Sequence, residues 1–304
     1  MTSMHDRAAG CLLGLACGDA LGGAVEFRSR ADLDRSYPRG IRDIMGGGPH
    51  RLAIGEYTDD TQMMLAIARA CTPTGIDLEA VAGNFVDWYR SGPKDIGIAT
   101  ANALRLISNG TPWQDAGEQL QAASTDGVAG NGTVMRCAPL ALRFLSDPIS
   151  RESASIETSR MTHADSRATL GSVALNQGLA HLVSGGSLGD LIPASIAGIA
   201  DPRVVFAITS APSLTRDEVQ SGGYVLDTLS SAYWCLFTSS TAEDAICRAV
   251  ELGSDTDTTG AVTGALAGAY YGESTLPVRW LDVLENCDEI RGLARQLVEW
   301  DMAS

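Results

Sequence analysis

Apolar residues recur along this chain at three- and four-residue intervals, the spacing of one helical face, and almost nowhere at alternate positions. The stretches "TQMMLAIARAC", "LEAVAGNFVDWYR", "TPWQDAGEQLQAAS", "TVMRCAPLALRFLS", "ATLGSVALNQGLAHLV", "GYVLDTLSSAYWCLF", "TAEDAICRAVELG" and "EIRGLARQLVEW" each predict a helix of about 10–20 residues. Start signals agree with several of them. Pro112 follows Thr111, and Thr241 precedes Glu243 and Asp244 in what would be a first turn. No self-similar period of about 30–45 residues is present. The pattern predicts an all-α protein, an orthogonal multi-helix bundle rather than a solenoid. No segment is richer in Pro, Gly or Ser than its surroundings, so a single domain over residues 1–304 is expected.

The first predicted helix carries Gly10, Gly14, Gly18 and Gly22, four residues apart and therefore on one face. Missing side chains there predict that another helix lies unusually close, with direct contact to a ligand as the alternative.

Composition narrows the function classes. Of 304 residues, 45% are hydrophobic and 19% charged, an ordinary globular profile long enough for a sizeable core. The formal net charge of −15, with Lys and Arg scattered singly, argues against nucleic-acid or anionic-membrane partners. The apolar run from Cys11 to Cys17 lies between Asp6 and Asp19 without the basic start of a signal peptide. No run of about 18 apolar residues predicts a transmembrane segment. Cysteines 11, 17, 71, 137, 235, 247 and 287 form no CxxC pair, which fits reduced, mostly buried thiols in a cytoplasmic protein and argues against a sulfur-ligated metal.

Two segments carry candidate chemistry: "GEYTDDTQM" at 55–63 and "ELGSDTDTTG" at 251–260. Each gathers carboxylates and hydroxyls, with no Lys or Arg, just ahead of a predicted helix. Thr58, Asp59 and Asp60 come from the first, Asp255, Asp257 and Thr258 from the second. Such residues are favoured helix caps and interact well with the helix dipole. If the segments meet, they are also oxygen ligands for a hard cation such as Mg²⁺ or Mn²⁺, since carboxylates drawn together repel without one. The twelve-residue EF-hand pattern is missing. One side chain can cap and bind metal at once, so the residues alone leave both explanations open.

In order along the chain, "HDRAAGCLLGLACGDALGGAVEF", "TDDTQM", "GNGTVMRCAPLAL", "THADSR", "GGYVLDTLSSAYWCL" and "GSDTDTTGAVTGALAGAYYG" resemble the ADP-ribosylglycohydrolase family almost end to end, most closely its dinitrogenase reductase-activating branch. "TDDT" alone is a weak signal, whereas the ordered set is specific. The resemblance implies an all-α domain of the ADP-ribosylglycohydrolase type holding two adjacent divalent cations, Mg²⁺ or Mn²⁺. It implies Thr58, Asp59, Asp60, Asp255, Asp257 and Thr258 as metal ligands. The implied reaction is hydrolysis of the bond joining ADP-ribose to a protein side chain, N-glycosidic to arginine in the branch it resembles. An ADP-ribosylated protein is then the substrate, ADP-ribose a product, and a monomer is expected.

The same resemblance assigns further residues. Glu26 matches a glutamate near the metals that acts as acid/base or binds metal-held water; by itself it reads as an exposed acid after the first helix. Asp60 joins it in the catalytic set. Asp95 in "PKDIGIAT" matches an aspartate on the ribose or acceptor side; by itself it reads as an N-cap. The asparagine found three positions later in the dinitrogenase reductase-activating branch is Ile98 here. Gly130, Asn131 and Gly132 in "GNGTVMR" offer free backbone N–H groups ahead of a predicted helix, a diphosphate site on physical grounds, with a simple turn as the alternative. Met135 in the same stretch is counted among the substrate-binding residues. His163 matches a histidine at the nucleotide, although "THADSR" departs from that branch's "NHPLSD". Tyr224 is placed to stack on a base or cover the site, or else to pack in the core. Ser254 stands where the dinitrogenase reductase-activating branch has glycine.

Two other functions use the same pattern. One keeps the metals and cleaves a different ADP-ribosyl bond, serine-linked, O-acetyl-ADP-ribose or on a small molecule. The other is a non-catalytic ADP-ribose-binding module, whose mark would be lost ligands; here all six metal-type positions and Glu26 are present.

Overall fold

Seven of the eight stretches with helical spacing form helices over most of their length. The computed structural model, which describes residues 2–303, has helices at Asp59–Ala70, Leu78–Arg90, Trp113–Ala123, Ser166–Val183, Val225–Phe237, Ala242–Val250 and Cys287–Met302. Thr241 caps its helix as expected, accepting a hydrogen bond from Asp244 N at 3.1 Å. The fold is all-α, the sole sheet among the described residues being the antiparallel pair Cys71–Thr72 and Gly75–Ile76.

One predicted helix is mostly absent. Of "TVMRCAPLALRFLS" only Ala138–Arg143 is α-helical, with Pro139 in its first turn. Residues 131–136 form tight turns instead, Asn131 O accepting from Val134 N at 3.0 Å and Met135 N at 3.3 Å. Helices also form where apolar spacing is weak. Pro148–Arg160 is largely polar and starts on Asp147, which accepts from Ser150 N at 3.0 Å. Leu188–Ile196 carries an interior proline, Pro193.

The glycine face of the N-terminal helix, Met4–Gly23, does what its spacing predicts. It lies antiparallel on Thr256–Tyr271, with Gly10, Gly14, Gly18 and Gly22 set against Gly268, Gly264, Gly260 and Thr256. A Cβ at Gly260 would stand 2.5 Å from Gly18 O and 2.9 Å from Gly18 C, leaving no room for a methyl group on a rigid backbone. This contact determines where chemistry can occur. It brings the C-terminal end of one buried helix beside the N-terminal end of another, joined by Thr256 Oγ1 donating to Gly22 O at 2.8 Å.

No helix among the described residues is long and apolar enough to cross a membrane. All seven cysteines are free and six are buried.

Candidate metal centre and its cavity

At the junction of these two helices the third element arrives, the start of Asp59–Ala70. Its first turn is held by Asp19, fully buried on the N-terminal helix. One Asp19 oxygen accepts from Thr58 N at 2.9 Å and Thr58 Oγ1 at 2.8 Å. The other accepts from Thr61 N at 2.9 Å and Thr61 Oγ1 at 2.6 Å. Asp19 therefore satisfies backbone donors that a helix start leaves open.

That arrangement bears on the two explanations of the acidic segments. Thr58 and Asp255 are the N-cap residues of their helices, yet neither makes a side-chain capping bond. Thr58 Oγ1 donates to Asp19, and Asp255 Oδ2 accepts from Asn131 Nδ2 at 2.9 Å. Carboxylates from the N-terminal helix and from both acidic segments converge. Asp19, Asp60 and Asp257 each place an oxygen within 4.8 Å of the other two. Asp60 Oδ1 accepts from Thr258 Oγ1 at 3.2 Å, whereas Asp60 Oδ2 and Asp257 Oδ1 are buried with no hydrogen-bond partner. A buried unpartnered carboxylate oxygen is costly, and two of them facing a third carboxylate call for a cation. The donor set is oxygen only, so it fits a hard divalent ion. Both Asp19 oxygens are already engaged by the helix start, so Asp19 supports the site while Asp60 and Asp257 offer free lone pairs.

Above these groups opens a cavity of about 470 Å³. Glu26, Asp59, Asp95, Asp255 and Asp257 line it, and no Lys or Arg does. Burial is the first cause of perturbed acidity here, and neighbouring carboxylates are the second. Together they raise Asp59, Asp60 and Asp257 well above the usual carboxylate range. Burial, followed by the charges of Asp95, Asp255 and Asp19, pushes Glu26 up to about 9. Burial also raises Asp95, against the opposing charge of His50. Ionised together, these carboxylates would repel a phosphate-bearing ligand unless cations offset them.

The remaining predicted residues divide between the cavity wall and its support. Gly130, Asn131, Gly132, Met135, His163 and Thr258 line the cavity with the carboxylates; Thr58 is buried below. His163 lies between the two glycines: a Cβ at Gly130 would come to 3.1 Å from its Nε2, and one at Gly132 to 2.9 Å from its Cε1. Its Nδ1 pairs with Thr162 Oγ1 at 2.8 Å, and burial followed by the nearby Arg136 charge depresses it to about 3, leaving it neutral. The anion-site expectation is modified in one respect. The turn at 131–136 replaces the helix start. Arg136 faces the core, donating to Thr162 Oγ1 at 2.6 Å and to Thr158 O at 3.3 Å. Tyr224 is not on the cavity wall. Its backbone pairs with Gly130, and its ring lies beneath the Arg167 guanidinium, 5.6 Å away, so Gly223 is the residue that faces the cavity. Ile98 is at the mouth and 83% exposed.

Sequence reasoning missed two residues. Asp19 carried a signal, a carboxylate within an otherwise apolar, small-residue helix. His50, which bonds Glu26 Oε2 through Nε2 at 2.6 Å, carried none.

An all-helical protein with a carboxylate-floored, nucleotide-sized cavity belongs to a recognisable class. The family model for ADP-ribosylglycohydrolase matches residues 1–303. The chain belongs to the ADP-ribosylglycohydrolase family and is a hydrolase of ADP-ribosyl bonds. It is 34% identical over 302 residues to the ADP-ribosylarginine hydrolase Tri1 of Pseudomonas putida, covering 97% of this chain and 78% of that protein. It is also 34% identical over 286 residues to the ADP-ribosyl-[dinitrogen reductase] glycohydrolase of Rhodospirillum rubrum, covering 93% and 92%. A solved structure described as an ADP-ribosylglycohydrolase-related protein complex superposes with a TM-score of 0.85 at 34% identity, covering 99% of this chain and all of that one.

Proposed function

We propose that this protein releases ADP-ribose from modified arginine side chains of proteins, with two divalent cations, Mg²⁺ or Mn²⁺, held by Thr58, Asp59, Asp60, Asp255, Asp257 and Thr258. The observation that carries the reading is the pair of buried, unpartnered oxygens, Asp60 Oδ2 and Asp257 Oδ1, at the floor of the cavity. Bound cations supply Lewis-acid polarisation of the ribose hydroxyls and of the attacking water. Glu26 exchanges the proton of that water, and Asp95 faces the acceptor side. The carboxylates beside the bond stabilise the positive charge that builds on the ribose as it breaks.

The N–H groups of Gly132 and Thr133 have no protein acceptor among the described residues, and they face the diphosphate in this reading. Neutral His163 and Met135 form the nucleotide wall. The acceptor is drawn from the relatives named as acting on ADP-ribosylarginine, and a guanidinium suits a mouth that presents Glu26 and Asp95. Seven free, mostly buried thiols suit a reducing compartment, consistent with a cytoplasmic enzyme.

The test is a substrate panel of arginine- and serine-linked ADP-ribosyl peptides and O-acetyl-ADP-ribose, each assayed with Mn²⁺ and with EDTA. Metal-dependent release from the arginine peptide is expected. Faster release from another linkage overturns the acceptor, and release that survives EDTA overturns the metal.

A further inference from the structure

Beside the metal centre lies a second cluster, Glu26, His50 and Asp95, whose ligand-type atoms all fall within 4.8 Å of one another. His50 is part of neither acidic segment. It sits on a tight turn in "GGGPHRL" closed by paired backbone bonds, Gly47 N to Leu52 O at 2.7 Å and Leu52 N to Gly47 O at 2.9 Å. The turn is fixed to the end of the N-terminal helix through Gly48, which has φ +69°. A Cβ there would stand 2.5 Å from Gly23 O, so only glycine permits the approach.

The imidazole is 12% exposed and connects three segments of the cavity mouth. Nδ1 is 3.2 Å from Lys94 O, and a carbonyl can only accept, so Nδ1 carries a hydrogen. Nε2 is 2.6 Å from Glu26 Oε2 and 3.4 Å from Asp95 Oδ2. A contact that short between Nε2 and a carboxyl oxygen contains one proton, whichever partner supplies it. The ring also meets Phe27 edge-on, with centroids 6.0 Å apart. Phe27 is 69% exposed at φ +63°, a backbone conformation that a bulky residue keeps only when its surroundings impose it.

We propose that His50 is the positioning residue for Glu26: it fixes the orientation of the Glu26 carboxyl over the cavity floor and ties it to the Asp95 loop. His50 is not among the residues lining the cavity, and its polar partners are Lys94, Glu26 and Asp95, none of them assigned to the metals. It acts through Glu26, as groups behind a reactive side chain do. The inference rests on the hydrolase reading of the cavity, with Glu26 as its proton-exchanging group.

The test compares His50→Leu, His50→Gln, Glu26→Gln and the double variant His50→Leu/Glu26→Gln, with arginine-linked substrate and Mn²⁺. His50→Leu is expected to lower kcat about 10–100-fold with KM and Mn²⁺ affinity unchanged. His50→Gln, which keeps a donor toward Glu26, recovers part of the loss. In the Glu26→Gln background, His50→Leu costs nothing further. A wild-type kcat in His50→Leu, or losses that multiply in the double variant, overturns the proposal; so does a loss seen only in KM and Mn²⁺ affinity, which marks a structural role.

A second readout does not depend on turnover. The ¹⁵N resonance of His50 Nε2 in the metal-free protein should shift when Glu26→Ala removes its partner, and an unmoved resonance overturns the bond. Wild-type protein inactive on the whole panel would instead refute the functional reading, and the resonance would still decide the contact.

Discussion

Gly260→Ala sets two physical effects of opposite sign against each other. On helix propensity alone, alanine in the interior of Thr256–Tyr271 should stabilise the protein by about 1 kcal/mol. The structure predicts the reverse. The new Cβ would lie 2.5 Å from Gly18 O, and a comfortable carbon–oxygen approach is about 3.3 Å. The helices would have to part by about 0.8 Å at this point, because neither the carbonyl nor the Cβ can rotate aside.

Overpacking of this kind costs about 1–3 kcal/mol, and a backbone obstacle places it in the upper half. Net of propensity, Gly260→Ala should therefore destabilise by about 1–2 kcal/mol. The same displacement reaches Asp257, about one turn earlier, a proposed ligand whose distance to a bound ion would have to hold to about 0.2 Å. Mn²⁺ affinity should fall about tenfold or more. Urea unfolding of the metal-free protein and calorimetric Mn²⁺ titration measure the two effects. Gly83→Ala is the control: it is a helical glycine with nothing within 4 Å of the added Cβ, so it should gain about 0.5–1 kcal/mol and bind Mn²⁺ normally. Stabilisation by Gly260→Ala with unaltered Mn²⁺ binding would refute the claim that the glycine face sets the metal site.

Ser254 occupies the left-handed region at φ +64°, where glycine is unstrained; Ser254→Gly should stabilise by up to about 1 kcal/mol in urea unfolding, and no change would remove the strain argument. Asp19→Asn leaves one acceptor oxygen for four donors and should destabilise by about 2–4 kcal/mol, a loss under half that size meaning that Asp19 does not hold the helix start. His163 stays neutral when folded because burial and Arg136 hold it near 3, whereas the unfolded chain takes up the proton below about 6.5. Its contribution is thus intact above that value and lost as pH falls; between pH 7 and 5 wild type should lose about 2 kcal/mol more than His163→Asn, and parallel curves would contradict the buried neutral imidazole.

What the sequence made legible follows from how local each signal is. Helices with a strong apolar face, such as Leu78–Arg90, announce themselves, because burial of that face is what stabilises them. Pro148–Arg160 is polar along most of its length, and the turn at 131–136 depends on Asn131 O accepting two bonds that spacing does not encode. The glycine face implies a close partner without identifying it, because spacing alone does not pair it with the matching run of Gly260, Gly264 and Gly268. Thr58 and Asp255 read as caps or ligands, and the ambiguity persisted because the competing cap, Asp19, lies 39 residues from Thr58. His50 was illegible for a related reason: its meaning lies in contacts with Glu26, Lys94 and Asp95, which only the folded chain brings together.

The most direct test of the cation centre is calorimetric titration of Mn²⁺ into metal-stripped wild type, Asp60→Asn and Asp257→Asn. Two bound ions per wild-type chain are expected, with binding lost or sharply weakened in both variants while their folds persist by circular dichroism. Wild-type protein that binds no Mn²⁺, or variants that bind it as wild type does, would contradict the assignment of those buried oxygens to a metal.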